Sequence, residues 1–319
     1  MAVNIEKKYQ KLTDTEHVLL RPGMYVGSIK PHTEEVFLPT KGKDQFQLTE
    51  VTYNPGFLKL FDEIVSNSVD EHKRNSKLNK VKVNIDMKSG LISIWDNGGI
   101  PVKIHKEYDE WVPEMIFSNL KTGSNFDDTE DRVVVGTNGV GSTLTNIFSK
   151  EFTIETCDGK KQFNQTFTNN MADRTKPEIT NKKTAHTQIT YLTDFERFGL
   201  KGIDKNHYLM ITKRLIDIAA CNPTLKIYLN DKPIAFRTFK DYANRYVTPV
   251  FYEQSEHWKI GIGHSTTGFK AISFVNSVET YDFTNLISKY DLKDYIIAII
   301  YKNKDEVKIL SKINLNNSL

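Results

Sequence analysis

The stretch Gly136-Thr137-Asn138-Gly139-Val140-Gly141-Ser142 is nearly a phosphate-binding loop, but it lacks a residue that such loops require. In the pattern G-x-x-x-x-G-K-[ST], backbone N–H groups surround the phosphates and the lysine neutralises them, whereas Ser142 stands at the lysine position here. This difference argues against a Walker-type NTPase. Three glycines still allow consecutive N–H groups to point inward, and the helix predicted over residues 143–148 offers its N-terminus to an anion. The alternative is a glycine-rich turn that only connects two elements.

A long helix with a polar stripe is predicted before this loop. Asn54-Pro55-Gly56 marks its start, and it runs to about His72. Its buried face is formed by apolar residues at helical spacing, namely Leu58, Phe61, Ile64, Val65 and Val69. Glu63, Asn67 and Asp70 follow at i, i+4 and i+7, where a carboxylate could hold a water and a carboxamide a divalent cation, as hydrolysis of a terminal phosphate requires. The alternative is a solvated helix face.

A hairpin is predicted next, with strands over residues 81–86 and 91–95 around a Lys88-Ser89-Gly90 turn. Asp96 lies at the end of the second strand of this hairpin and is followed by Asn97-Gly98-Gly99-Ile100-Pro101. Asp96 could accept a hydrogen bond there from the exocyclic amine of a base. The alternative is an ordinary Asp-Asn-Gly turn.

The rest of the chain predicts more antiparallel sheet and then a second unit. A hairpin over residues 152–167 turns at Asp158-Gly159, and a further strand covers 187–192. A helix over 206–220, stopped by Asn222-Pro223, is expected to open the new unit, with strands at 225–229 and 270–278. We therefore expect one domain over residues 1–200 and another over 201–319.

Composition limits the classes of function. The net charge of +3, from 43 basic and 40 acidic residues, gives no overall attraction to nucleic acid. Cys157 and Cys221 suggest no disulfide framework, which is typical of a reducing compartment. The first residues contain no signal peptide, and no apolar run reaches membrane length. We expect a soluble, cytoplasmic protein without a membrane partner.

The polar helix stripe, the Asp-Gly-Gly turn and the glycine loop occur in an order that resembles the GHKL ATPase superfamily. The flanking sequence resembles type IIA DNA topoisomerases within that group. The segments that carry this likeness are an N-terminal signature at 21–28, the first helix at 53–71, a nucleotide lid at 121–126 and a transducer strand at 272–277. The similarity covers about residues 11–280 and looks closest to the large subunit encoded by tailed bacteriophages, so the host cytoplasm is expected if the source is viral.

The resemblance implies an α/β (α+β) fold of the Bergerat type. This is a two-layer sandwich over a mixed, largely antiparallel sheet, followed by a partial transducer-like α/β domain. ATP and Mg²⁺ are the implied cofactors, with Glu63 as the general base, Asn67 as the metal ligand and Asp96 recognising adenine. The other implied cofactor-binding residues are Asp70, Ile100, the lid residue Asn125 at the ribose, the phosphate cradle Gly136, Asn138, Gly139, Val140 and Gly141, and Thr187 beside the adenine-bound water.

Three departures from the family pattern stand out. The turn at Asp96 is one residue shorter than Asp-x-Gly-x-Gly-Ile-Pro, which puts the adenine register of Asp96 in question. His186 stands where a glycine usually precedes Thr187. The Gln-Thr-Lys loop that brings a lysine to the terminal phosphate is missing, and nothing around Lys304 or Lys308 supports a substitute. A metal-binding acidic cluster and a cleavage tyrosine are also missing, so we expect DNA cleavage to take place outside this chain.

Two functions follow as hypotheses. The first is an ATP-operated clamp module of a topoisomerase, with DNA, a second copy of the chain and a DNA-cleaving subunit or region as partners. The arm before Arg21 would exchange between the two copies. The alternative, suggested by the missing lysine loop, is a nucleotide-dependent binding or regulatory module with little turnover. Lys213 and Arg214 could contact DNA inside a clamp or be plain surface.

Overall fold

The computed structural model describes residues 9, 11–122, 139–234, 236, 238–249, 251–254, 258–265, 268–275, 277–280 and 295–301. The α-helices are α1 (Asp14–Leu20), α2 (Pro55–Arg74), α3 (Val112–Ser118), α4 (Gly141–Ile147), α5 (Lys205–Cys221) and α6 (Phe239–Ala243). Short 3₁₀ segments cover Pro22–Met24 and Phe195–Phe198. Among the described helices, none has both the length and the apolar character needed to cross a membrane.

The strands fall into two larger sheets and two small hairpins. The first set is β1 (His32–Leu38), β2 (Gln47–Tyr53), β3 (Lys80–Asp86), β4 (Leu91–Asp96), β5 (Ile104–His105), β6 (Glu110–Trp111), β7 (Ser149–Cys157), β8 (Lys161–Thr168) and β9 (Asp173–Arg174). The rest are β10 (Glu178–Asn181), β11 (His186–Thr193), β12 (Lys226–Leu229), β13 (Lys232–Ile234), β14 (Phe251–Gln254), β15 (Trp258–His264), β16 (Lys270–Val275), β17 (Val278–Thr280) and β18 (Tyr295–Tyr301).

Helix α2 forms as its sequence predicts. The Asn54 side chain accepts a hydrogen bond from the Phe57 N–H, and Pro55 fills the first helical position, where no N–H is needed. Basic residues occupy the last turn, where they complement the helix dipole. The buried face packs Leu60, Phe61 and Val65 into the main core. The predicted helix is confirmed, and it continues two residues beyond His72, to Arg74.

The nine-stranded sheet provides the floor on which the helices pack. Its order is β10-β8-β7-β11-β4-β3-β12-β13, with β9 beside β8. Every pair is antiparallel except β3 with β12, so the predicted mixed, largely antiparallel sheet is confirmed. Both predicted hairpins form, and the strand predicted at 187–192 becomes β11, between β4 and β7. Alternate residues of these strands, such as Val81, Val83 and Ile94, point into the core.

The second sheet has the order β14-β15-β18-β16-β17, with β16 and β18 parallel. We expected the helix at 206 to begin this second unit. The structure contradicts this, because the helix and the strand after it belong with the first sheet. Helix α5 packs Ile211 and Leu215 into the first core, and Ile227 of β12 pairs with Val81 at the open edge of β3. The change from the first sheet to the second therefore falls after Ile234, whereas a domain boundary near residue 200 stays a prediction.

The strand predicted over 270–278 is two strands. Ser277 adopts a positive φ of 72°, which turns the chain between β16 and β17. Phe274 of β16 joins a small second core with Phe239, Tyr242 and Ile272, and Ala220 at the end of α5 also belongs to it. Helix α5 thus touches both cores.

Candidate functional site

Glu63 lies against the start of α4. A Cβ on Gly141 would overlap the Glu63 carboxylate, so only glycine allows this approach. The ammonium of Lys59, one turn earlier on α2, lies 2.5 Å from Glu63 Oε1. The Glu63 side chain keeps 23% of its surface exposed, which is enough for a water to reach it. The fold therefore brings the proposed base to the end of the glycine loop.

Asn67 makes the next contact between the same two helices. Its Nδ2 donates a hydrogen bond of 2.8 Å to Ser142 Oγ, the hydroxyl at the position of the missing lysine. The same carboxamide carries an oxygen, an atom of the type that can bind a divalent cation. Asp70, the third member of the stripe, is only 3% exposed. A wholly solvated helix face, the alternative interpretation, is therefore wrong at Asp70.

Asp96 is buried at the end of β4 beneath α2. Its Oδ2 accepts a 2.6 Å hydrogen bond from Ser68 Oγ, and its Oδ1 accepts a 2.9 Å bond from the Gly98 N–H. Burial raises the pKa of this carboxyl to about 6, although both hydrogen bonds favour the charged form. Thr187 lies directly opposite Asp96 on β11. The two residues assigned to adenine recognition are therefore neighbours across one strand pair.

The shortened turn after Asp96 closes onto β7. Thr156 Oγ1 accepts a hydrogen bond of 3.1 Å from the Ile100 N–H and lies 2.9 Å from Thr187 Oγ1. A Cβ on Gly99 would overlap the Cys157 carbonyl oxygen, so this glycine is required by the close approach of two backbones. Ile100 is thereby held next to Thr187 in spite of the missing residue.

His186 has an ordinary structural environment. It is 4% exposed, and its Nε2 lies 2.7 Å from Glu155 Oε1 on the adjacent strand β7. This contact orients the imidazole along the sheet. His186 therefore acts as a buried strand residue with a carboxylate partner.

The glycine loop that the sequence assigns to phosphate is described only at its end. Asn125, Gly136 and Asn138 lie outside the described residues. Gly139 has a φ of 60°, and its carbonyl oxygen accepts a 2.9 Å hydrogen bond from the Thr122 N–H. Val140 immediately precedes α4. The described end of this loop therefore leads into the helix that Glu63 and Asn67 contact.

Three residues at this site were not found from the sequence: Lys59, Ser68 and Thr156. Ser68 had a usable signal, because it continues the apolar stripe of α2 that runs through Phe57, Phe61 and Val65. A hydroxyl on a buried stripe needs a partner, and Asp96 is that partner. Thr156 had no comparable signal, because its role depends on the pairing of β7 with β11.

The suggestion that Lys213 and Arg214 contact DNA or form plain surface is wrong. Lys213 is 6% exposed and pairs with Asp217 at 2.6 Å. Arg214 pairs with Asp62 at 2.6 Å, and its side chain is 20% exposed. Both cations are committed to carboxylates inside the molecule.

Comparison with known proteins identifies the family. No family model matches the chain. A solved structure of the ATPase region of Saccharomyces cerevisiae topoisomerase II, bound to ICRF-187 (dexrazoxane), superposes with a TM-score of 0.87 and 32% identity over 92% of this chain and 86% of that chain. The chain belongs to the topoisomerase II ATPase family.

Other members support this placement. The ATPase and transducer domains of topoisomerase II from Balamuthia mandrillaris match with a TM-score of 0.85 and 33% identity, covering 93% of this chain and 85% of that chain. The DNA topoisomerase 2 of Acanthamoeba polyphaga mimivirus is 43% identical over 299 residues, which is 87% of this chain and 23% of that relative. The chain thus spans about a quarter or less of the length of the curated relatives it matches. The resemblance to type IIA topoisomerases and the GHKL fold are confirmed.

Proposed function

We propose that this member of the topoisomerase II ATPase family binds and hydrolyses ATP as the clamp module of a DNA topoisomerase. The observation that carries the proposal is the meeting of α2 with the end of the glycine loop, where Glu63 lies against Gly141 and Asn67 bonds to Ser142. Phosphoryl transfer depends mainly on positioning and on stabilising charge, and this junction supplies a carboxylate, a carboxamide and a helix N-terminus together.

The residues present fit an adenine nucleotide. Asp96 offers a buried carboxylate acceptor, and Thr187 and Thr156 place hydroxyls beside it. Gly99 and Gly141 stand where any Cβ would collide with neighbouring atoms, so the walls of the site approach each other closely. We propose that Asp70, Ile100 and the loop residues Gly139, Val140 and Gly141 complete the described part of the binding surface, and that Asn125, Gly136 and Asn138 extend it.

A magnesium ion fits the carboxamide oxygen of Asn67. Amide oxygens are suitable ligands for this hard cation, which usually takes its other ligands from phosphate and water. Bound there, it would neutralise charge on the phosphates, as the Walker lysine does in other NTPases. Glu63 would orient and deprotonate the attacking water, and Lys59 holds that carboxylate in place.

Replacing Glu63 by Gln tests the proposal. The variant should lose ATP turnover by about 100-fold or more, because glutamine cannot accept the proton, while affinity for a non-hydrolysable ATP analogue changes little. Glu196→Gln is the matched control, because that carboxylate is 86% exposed and its ion-pair partner is Lys150 rather than a residue of α2. Unchanged hydrolysis in Glu63→Gln would remove the assigned base.

The regulatory alternative stays open because Lys304 and Lys308 lie outside the described residues. The rate of steady-state ATP hydrolysis, measured with and without DNA, distinguishes the regulatory module from the clamp module. DNA-stimulated turnover supports the clamp module, whereas tight nucleotide binding with negligible turnover supports the regulatory module.

The assembly belongs to the same proposal. A copy of the chain would join a second copy when ATP binds, and a separate subunit or region would cut and rejoin the DNA in the cytoplasm. The finer likeness to the large subunit of tailed bacteriophages is also a proposal. Molecular mass in solution, measured with and without the ATP analogue, tests dimerisation. A chain that is monomeric in both conditions would contradict the clamp.

A further inference from the structure

The guanidinium of Arg214 connects α2 to the second sheet. Its Nε donates a 2.6 Å hydrogen bond to Asp62 Oδ1 on α2, and its Nη1 donates a 2.6 Å bond to the backbone carbonyl oxygen of Ser277. Both side chains of the ion pair are largely buried, at 20% and 27% exposure. A planar guanidinium makes two such bonds in fixed directions, so the two partners are held at a set separation.

The Ser277 end of this connection is a strained turn. Ser277 has a φ of 72°, which a residue with a side chain rarely adopts, and it is 4% exposed. Such a conformation persists only where surrounding groups fix it. Asn222, the residue that ends α5, donates a 3.0 Å hydrogen bond to Ser277 Oγ, while Arg214 binds the carbonyl. The turn between β16 and β17 is therefore held from α5.

The Asp62 end lies next to the proposed base. Asp62 immediately precedes Glu63, and Lys59 on the same turn of α2 pairs with Glu63 at 2.5 Å. A shift of this turn by about 1 Å would move the carboxylate relative to Gly141, and misplacement on that scale lowers rates by about 100-fold. Whatever fixes Asp62 therefore also fixes Glu63.

Side-chain packing between α2 and the second sheet is interrupted beside this pair. A cavity of about 430 Å³ lies between the β1–β2 hairpin, α2, α5 and the second sheet. Its lining includes Lys59, Asp62 and Arg214 from the two helices, and Ile272 and Val278 from the second sheet. Arg214 therefore joins Asp62 to the turn at Ser277 at the border of this cavity.

We propose that Arg214 is a positioning residue through which the turn at Ser277 sets the place of Asp62 and Glu63 on α2. A displacement of the second sheet then shifts the proposed base through Arg214 and Asp62. The role of Glu63 in this inference rests on the proposed function, whereas the mechanical link between Ser277 and Asp62 does not.

Hydrogen–deuterium exchange of the full chain tests the link without requiring activity. Asp62→Asn should raise exchange about fivefold or more at the turn around Ser277, which Asp62 does not itself contact. Arg214→Lys keeps the charge but lacks the planar guanidinium that bonds both partners in fixed directions, so it should raise exchange at that turn and at residues 60–66 together. Unchanged exchange at the turn in Asp62→Asn would overturn the proposal.

The kinetic test separates positioning from general loss of structure. Arg214→Lys and Asp62→Asn should each lower kcat for ATP about tenfold, with affinity for a non-hydrolysable analogue within about twofold of the parent chain, and the double variant should be no slower than either one. Additive losses, or a parallel loss of affinity, would overturn the role assigned to Arg214.

Arg197→Lys is the matched control. Arg197 also pairs with an aspartate, Asp194, at 2.9 Å, but this pair belongs to the 3₁₀ segment Phe195–Phe198, whose Phe198 lies in the first core. It should leave exchange and kcat unchanged. If the parent chain itself does not hydrolyse ATP, the proposed function fails while the exchange result still decides the link.

Discussion

At the scale of single residues, Asp96 shows what burial does to a carboxylate that we propose as the group recognising adenine. Burial raises its pKa to about 6, from an ordinary value of 3.8, even though Ser68 and Gly98 donate hydrogen bonds to it. Since the folded chain binds this proton more tightly than the unfolded chain, Asp96 favours folding most below about pH 4, and that contribution is lost as the pH rises from about 4 to about 6. The ionised acceptor is therefore maintained at the expense of stability.

This titration predicts the pH dependence of nucleotide binding. Affinity for an ATP analogue should fall as the pH drops below about 6, because the protonated Asp96 is a weaker acceptor for an amine. Titration calorimetry between pH 5 and 8 measures it. Asp96→Asn should bind more weakly throughout, and the ratio of the two affinities removes the titration of the nucleotide itself. A ratio that does not change with pH would contradict the assignment of Asp96.

Gly141 gives a second prediction at this scale. Gly141→Ala should displace the Glu63 carboxylate and lower ATP turnover by about 100-fold or more, because its Cβ would occupy the space of that group. The matched control is Gly23→Ala, where an added Cβ meets nothing within 4 Å. Equal turnover in the two variants would show that Glu63 can relax away without consequence.

At the scale of elements, the sequence predicted those helices and strands that are determined by residues close together in the chain. Asn54-Pro55-Gly56 predicted the start of α2, and the sequence predicted strands where β3, β4 and β11 form. Three features depend on partners far along the chain and could not be predicted in this way. These are the parallel pairing of β12 with β3, the hydroxyl of Thr156 at the shortened turn, and the ion pairs that hold Lys213 and Arg214.

Asn54 joins three elements of the fold, so its replacement should lower the stability of the chain. Its Oδ1 caps α2, its Nδ2 donates to the carbonyl oxygens of Ile29 and Phe198 at 2.5 and 2.9 Å, and its N–H donates to His207 Nε2 at 2.9 Å. Asn54→Ala should lower the free energy of unfolding by about 2 kcal/mol or more, since it removes the cap and leaves buried acceptors unpaired. Urea denaturation measures it.

Asn54→Asp separates the two contributions. Aspartate keeps the capping oxygen but cannot donate to Ile29 and Phe198, so we expect a loss of stability at least as large as the loss of those two bonds. A variant as stable as the parent chain would show that the cap alone accounts for the role of Asn54.

At the scale of the whole molecule, α5 joins the two cores through a buried ion pair. Lys213 Nζ lies 2.6 and 2.7 Å from the two carboxylate oxygens of Asp217, and it sits over the rings of Tyr246 and Phe274. Tyr242 donates a 2.8 Å hydrogen bond to Asp217 from the second core. Charge and aromatic contacts therefore meet where α5 passes from the first sheet to the second.

Removing one partner of this pair should destabilise the junction far more than removing both. Asp217→Leu leaves the Lys213 ammonium buried without its carboxylate, and we expect a loss of about 3–5 kcal/mol. The double variant Lys213→Met, Asp217→Leu replaces the pair by apolar groups and should recover most of that loss. Urea denaturation followed by circular dichroism would measure the free energy of unfolding of the single and double variants. A double variant as unstable as the single one would show that the contacts of Asp217 with Tyr242, rather than the buried charge, hold the two sheets together on α5.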